Sequence, residues 1–124
     1  MNVLIVDDSA VMRTMILKTL KLSGLPLGVV HQAGDGATAL SILAEHQVDL
    51  VLLDLSMPGM RGDELIERIR DNPATRDLRI LVVSSDRSPA RLEKVESSGA
   101  EFLPKPFTPE ELSAAVLQLT RRDA

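Results

Sequence analysis

The sequence has no cysteine, no tryptophan and no tyrosine, and only two phenylalanines in 124 residues. Without cysteine there is neither a disulfide framework nor a thiolate metal site. With so few aromatic rings, stacking platforms for nucleobases or flavins are scarce. Long apolar runs are missing as well, and none approaches the ~20 residues that cross a bilayer. The start lacks the basic residues and extended apolar stretch of a secretory signal, because Val3-Leu4-Ile5-Val6 gives way at once to Asp7-Asp8. These absences give the expectation of a cytoplasmic protein with no membrane partner. The formal net charge is −4, which weighs against nucleic acid as a direct partner.

What is present fits one globular core. Hydrophobic residues make up 44% and charged residues 26%, a balance that supports a single domain over residues 1–124. Five short apolar runs recur: Val3–Val6, Leu27–Val30, Leu50–Leu53, Ile80–Val83 and Phe102–Leu103. The first, third and fourth are continuous and rich in Val, Ile and Leu, as strands covered on both faces are. The second contains Gly28 and the fifth ends at Pro104, which predicts outer strands for both.

Helical patterns separate the runs. Met12, Met15, Ile16, Thr19 and Leu20 share one helical face; Ala37, Leu40, Leu43 and Ala44 share another; Leu65, Ile66 and Ile69 mark a third. Ser88 and Pro89 open a fourth helix that has only Ala90, Leu92 and Val95 to bury, so a weakly anchored helix is expected. In the last, Thr108 and Glu111 form a capping box, Leu112, Ala115, Val116 and Leu119 make a stripe, and Arg121 and Arg122 suit its negative end. Strand and helix thus alternate five times, the pattern of an α/β parallel sheet with helices on both faces.

The chemistry-bearing residues fall at strand ends. Asp7 and Asp8 follow the first run, Asp54 the third, Ser84 the fourth, and Lys105 comes just after the fifth. In an open parallel sheet these ends share one edge, where ligands bind. Taken singly, each residue has an ordinary reading: a helix cap for Asp7-Asp8, a loop residue for Asp54, a structural hydroxyl for Ser84, a solvated lysine for Lys105. Taken together, three crowded carboxylates repel one another, which makes sense beside a hard cation such as Mg2+ that prefers oxygen ligands. A metal, a lysine and a hydroxyl form a clamp for phosphoryl oxygens. Asp54 can then act as nucleophile and form an aspartyl phosphate, which hydrolyses spontaneously.

At these residues the sequence resembles the receiver domains of two-component response regulators. The resemblance covers nearly the whole chain and rests on Leu4-Ile5-Val6-Asp7-Asp8-Ser9, Asp54-Leu55-Ser56-Met57-Pro58-Gly59-Met60-Arg61-Gly62, Val82-Val83-Ser84-Ser85 and Lys105-Pro106-Phe107. Its opening, Asp7-Asp8-Ser9 through Met12-Arg13, is similar to that of single-domain chemotaxis response regulators. The resemblance implies a flavodoxin-like doubly wound (βα)5 sandwich with strand order 2-1-3-4-5. It implies Asp54 as phosphoacceptor and Asp8 as a direct metal ligand, with Asp7 holding a metal-bound water. It adds the Ser56 backbone carbonyl as a further ligand, Lys105 on the phosphoryl group, Ser84 as switch hydroxyl and Phe102 as aromatic switch residue. The Lys105–Pro106 bond is usually cis in such domains. The implied cofactor is Mg2+, with Mn2+ as a substitute.

The implied partners are a sensor histidine kinase or histidine phosphotransfer protein, and a downstream protein bound through the face of the fourth helix, fifth strand and last helix. The implied activity is that of a signalling phosphoacceptor that catalyses only its own phosphorylation and dephosphorylation, not of an enzyme on free substrates. Relative to chemotaxis regulators, Ser56 stands for Asn, Ser85 for Ala and Asp86 for Glu. Two of these flank the site, so a phosphoryl lifetime does not transfer. Phe102 lacks the hydroxyl of the Tyr found there. Competing readings are a pseudo-receiver interaction module without phosphorylation, a metal-dependent aspartyl phosphatase and a flavodoxin-type electron carrier. A pseudo-receiver would lack Asp54, Lys105 or the acidic pair. The phosphatase needs a second Asp where Ser56 stands. The electron carrier needs a Ser/Thr/Gly-rich phosphate loop where two aspartates stand.

Overall fold

In the computed structural model, which describes residues 1–121, strand and helix alternate five times. The order is β1 Val3–Val6, α1 Ala10–Leu22, β2 Val30–Ala33, α2 Gly36–Glu45, β3 Leu50–Leu53, α3 Gly62–Asp71, β4 Arg79–Ser84, α4 Pro89–Ser97, β5 Glu101–Pro104 and α5 Pro109–Arg121. The strands form one parallel sheet in the order β2-β1-β3-β4-β5, with β2 and β5 at the edges as the Gly28 and Pro104 signals predict. Pro104 ends the β5 ladder opposite Ser84, a position an edge strand tolerates because no further ladder depends on its missing N–H. Of the expected basic pair, Arg121 is the last residue of α5, and Arg122 lies outside the described residues.

Strand alternation sorts the core into two layers. Leu4, Val6, Val51, Leu53, Ile80 and Val82 point to one side and meet Ala39 of α2, Leu65, Ile66 and Ile69 of α3, and Val95 of α4. Val3, Ile5, Leu50, Leu52, Leu81 and Val83 point to the other and meet Ile16 and Leu20 of α1 and Leu112, Val116 and Leu119 of α5. β1, β3 and most of β4 are buried on both faces, which is why their sequences read as unbroken apolar runs.

Three expectations are corrected. The second strand begins at Val30, where the apolar run Leu27–Val30 ends. Residues 27–29 are held by the chain start instead: Gly28 N–H donates to the Met1 carbonyl at 2.7 Å and Val29 N–H to the Asn2 side chain at 2.9 Å. In α1 the buried residues are Ile16, Thr19 and Leu20, while Met15 turns outward. In α2 the inward side is carried by Gly36, Ala39, Leu40, Ile42 and Leu43, and Ala37 and Ala44 are exposed. Alanine and methionine are poor markers of a face, because either is tolerated on both.

Capping fixes the helix starts. Ser9 accepts from Met12 N–H, Asp35 from Thr38 N–H and Ser88 from Arg91 N–H. The Thr38 N–H holds the Asp35 carboxyl below its ordinary pKa. Thr108 and Glu111 exchange the two hydrogen bonds of a capping box, at 3.0 and 3.1 Å. As expected, α4 is thinly anchored, with Val95 its one buried residue. Arg70 of α3 reaches the carbonyls of Ser98, Arg76 and Leu78; burial lowers its pKa and Asp77 opposes that shift.

α3 starts in direct contact with the end of β3. A Cβ on Gly62 would sit 2.4 Å from the Asp54 carbonyl oxygen and 2.6 Å from Leu55 Cα, both backbone atoms that cannot swing aside. Gly62→Ala should therefore destabilise the protein by about 1–3 kcal/mol, the usual cost of forcing extra volume into a packed contact. Urea unfolding measures this, and a loss within ~0.5 kcal/mol, the scatter of neutral surface changes, would show that the α3 start is free to shift.

Candidate functional site

The C-terminal edge of the sheet collects the polar residues because the ladder continues one bond past each strand. Asp7 N–H donates to the Ala33 carbonyl at 3.1 Å, Asp54 N–H to Val6 at 3.0 Å, and Lys105 N–H to Ser84 at 3.0 Å. These bonds fix the Cα positions of Asp7, Asp54 and Lys105 as firmly as if they were strand residues. Among the described residues, the buried polar or charged side chains are Asp7, Thr19, Asp54 and Ser84, and three of these four stand at this edge.

Asp7 and Asp54 are only 2% and 7% exposed. Each spends one carboxylate oxygen on a local backbone donor: Asp7 Oδ1 accepts from Ser9 N–H at 2.9 Å, and Asp54 Oδ1 from Ser56 N–H at 3.2 Å. The other oxygen of each faces Lys105, whose Nζ lies 3.1 Å from Asp7 Oδ2 and 3.5 Å from Asp54 Oδ2. One ammonium therefore bridges two buried carboxylates. Asp8 is exposed at the rim, yet one oxygen from each of Asp7, Asp8 and Asp54 lies within 4.8 Å of the others. This all-oxygen set suits a hard divalent cation, and a cation there would relieve the repulsion that one lysine only partly offsets. With the Lys105 ammonium at its side, the same edge can take an anion.

Ser84 is fully buried at the end of β4, and its Oγ accepts from Asp86 N–H at 3.1 Å. Phe102 is not at the pocket. It pairs with Val82 on β5 and is half-buried against the core layer under α3 and α4, the layer that Val82 also faces. Ser84 lies two residues beyond Val82, hence on that same face of the sheet. Ser56 is exposed beside Asp54. The Lys105–Pro106 peptide is cis.

Two arginines join the site that the spacing of residues did not single out. Arg13, one turn into α1, donates to the Asp7 backbone carbonyl at 2.5 Å and to the Gln32 side chain at 3.1 Å, so it pins the loop that carries the acidic pair. Its signal was a lone basic residue on the α1 turn nearest Asp7-Asp8. Arg91 of α4 has its side chain tucked against Asp86 and Asp63.

Comparison with known proteins gives a consistent result. The family model "Response regulator receiver domain" matches residues 3–117. The two-component response regulator ORR3 of Oryza sativa subsp. indica is 34% identical over 114 residues, covering 90% of this chain and 85% of that protein. The chemotaxis response regulator CheY4 of Vibrio cholerae, a solved structure, is 32% identical with a TM-score of 0.84, covering 95% of this chain and 97% of that one. The isolated REC domain of RcsB from Salmonella enterica serovar Typhimurium, solved with the phosphomimetic BeF3−, is 29% identical with a TM-score of 0.85. Several relatives are longer. The chain spans 52% of the response regulator MprA of Mycobacterium avium and 30% of the cyclic di-GMP phosphodiesterase response regulator RpfG of Xanthomonas campestris.

The bridge has a measurable consequence. Lys105→Met keeps the side-chain length and removes the charge, leaving Asp7 and Asp54 buried and facing each other. In chelator-treated protein this should cost about 1–3 kcal/mol, because a half-removed buried ion pair leaves an uncompensated charge. Denaturant unfolding reads the change, and a variant within ~0.5 kcal/mol of the parent would mean that the two carboxylates do not depend on the ammonium.

Proposed function

The chain belongs to the response regulator receiver domain family, and from that premise we propose that it accepts a phosphoryl group on Asp54 from a phosphohistidine with Mg2+ bound beside it. The observation that carries this reading is the Lys105 bridge between two buried carboxylates that share an oxygen cluster with Asp8. A purely structural edge would not gather three carboxylates around one ammonium, since doing so costs stability.

Asp7, Asp8, Asp54 and the backbone carbonyl of Ser56 would hold the cation, in keeping with their oxygen-only chemistry. When bound, Mg2+ supplies positive charge to the phosphoryl oxygens. A carboxylate oxygen of Asp54 forms the bond to phosphorus. The P–N bond of the donor breaks, and its electron pair returns to the imidazole, which takes up a proton. Lys105 steadies the phosphoryl oxygens by a charge-assisted hydrogen bond. Hydrolysis reverses the change: water attacks phosphorus, the P–O bond to Asp54 breaks, and inorganic phosphate leaves with the carboxylate restored. Signalling rather than turnover of a free substrate is the role that follows.

Both partner surfaces have support in the fold. Val11 and Leu22 of α1 are 81% and 87% exposed, and Met15 is exposed between them. At 100° per residue the three lie within about 40° on one stripe. The stripe begins at the α1 turn next to Asp8, so it is where a helix carrying the donor histidine would rest. The signal would leave through the face of α4, β5 and α5. A phosphoryl group on Asp54 draws the Ser84 hydroxyl, Phe102 follows on the same sheet face, and α4, with Val95 alone buried, is the element with least to hold it.

The test uses an acyl phosphate donor with Mg2+. One phosphoryl group, about 80 Da, should appear on the intact protein and be absent from Asp54→Ala. A phosphorylated histidine phosphotransfer domain in place of the acyl phosphate should label the wild type, and Val11→Asp should slow that transfer about tenfold or more while leaving acyl phosphate labelling unchanged, as for a buried interface contact. Undiminished labelling of Asp54→Ala at another residue would refute the assignment. A protein that takes no label with Mg2+ present would favour an interaction module that works without phosphorylation.

A further inference from the structure

The β4–α4 loop carries a chain of contacts that leads away from the Ser84 hydroxyl. Ser84 Oγ accepts from Asp86 N–H at 3.1 Å. The Asp86 carboxylate is in turn fully occupied: Oδ1 accepts from Ser88 N–H at 3.0 Å, and Oδ2 is in close contact with the Arg91 guanidinium. The other terminal nitrogen of Arg91 lies 4.0 Å from Asp63 Oδ1. That Asp63 oxygen is buried and has no hydrogen bond, so Arg91 is the charge that compensates it. Asp63 stands in the first turn of α3, next to Gly62, which is packed on the Asp54 backbone.

The path therefore closes on itself. It runs from Ser84 through Asp86 and Arg91 to Asp63, and α3 returns it to the strand that carries Asp54. Arg91 is the only cation in that path, and its side chain is 13% exposed, so solvent screens it little. An ion pair this enclosed is more than a surface decoration.

We propose that Arg91 is a positioning residue: by holding Asp86 it fixes the loop whose N–H engages Ser84 Oγ, and so keeps that hydroxyl in its resting place. This rests on the reading of Ser84 as the hydroxyl drawn toward a phosphoryl group. To reach that group, Ser84 gives up the Asp86 N–H, and the loop must then re-form around a donor left unpaired. Arg91, anchored to both Asp86 and Asp63, resists that rearrangement. Arg91 thus sets the balance between the resting and the engaged loop without touching the reacting atoms.

The experiment measures binding of beryllium fluoride in saturating Mg2+ to the full chain, alongside amide hydrogen exchange of the unliganded protein. Arg91→Gln should tighten the apparent Kd roughly three- to tenfold, the range one hydrogen bond of ordinary strength commands. Asp86→Asn should act in the same direction, and the double variant should gain no more than the larger single effect. Arg91→Lys, which keeps the charge, should return most of the way to wild type. Affinity for Mg2+ alone should not move, because the loop does not hold the cation. In the unliganded Arg91→Gln protein the Asp86 amide should exchange faster while amides of β1 and β3 stay as protected as before. An unchanged or weaker beryllium fluoride affinity in folded Arg91→Gln would overturn the proposal. If the wild type binds no beryllium fluoride, or Asp54→Ala binds it equally well, the phosphorylation reading itself falls. The loop is then judged by exchange alone: faster Asp86 exchange in Arg91→Gln upholds the latch, and unchanged exchange refutes it.

Discussion

Asp7 and Asp54 share one ammonium, at 3.1 and 3.5 Å, inside an edge where they have almost no contact with water. Burying one carboxylate is costly, and burying two beside each other is more so. The rest of the architecture makes that arrangement tolerable. β1 and β3 deliver the two aspartates side by side and β5 brings the lysine to the same sheet edge, backbone N–H groups of Ser9 and Ser56 satisfy one oxygen each, and Arg13 secures the loop between β1 and α1. In a site assembled this way a bound cation would add its charge to the built-in ammonium, and an anion would enter with the help of both.

The two-layer core explains how such a site can influence a surface. The layer beneath α2, α3 and α4 contains Val82 and Phe102, and Ser84 continues the same row of inward side chains. The opposite layer, beneath α1 and α5, is filled by Ile16, Leu20, Leu112, Val116 and Leu119. A change at Asp54 that moved the Ser84 hydroxyl would thus act on the first layer, toward α4 and β5, because Ser84 faces that layer and not the second. That asymmetry follows from strand period and from which residue ends each strand, not from any special feature of the helices.

The inner and outer strands and the edge where the polar residues gather were legible in the residues, while the full order 2-1-3-4-5 was what the resemblance to receiver domains implied. Continuous apolar runs in β1, β3 and β4 reflect burial on both faces, and Pro104 marks an edge through backbone chemistry; β2 is an edge strand too, but Gly28 lies before it. The meeting of Asp7, Asp8, Asp54 and Lys105 followed from strand ends sharing an edge; the roles given to these residues belong to the proposal above. What escaped the sequence was decided by tertiary contacts. The β2 start moved because Met1 and Asn2 claim the backbone of residues 28 and 29. Ala37, Ala44 and Met15 were placed on the wrong side because small or flexible apolar residues are cheap to expose. Arg91 went unnoticed because its partners, Asp86 and Asp63, belong to a loop and a different helix, and no local pattern relates them.

If the carboxylate cluster is a cation site, its crowding is tolerated by the folded protein for that purpose. Thermal unfolding of the wild type and of Asp8→Asn, each with a chelator and again with Mg2+, tests it directly. Mg2+ should raise the melting temperature of the wild type, Asp8→Asn should largely lose this rise, and the chelator-treated variant should be as stable as the wild type or more so, because one repelling charge is gone. A wild-type melting temperature indifferent to Mg2+, or a chelator-treated Asp8→Asn clearly less stable than the wild type, would contradict it.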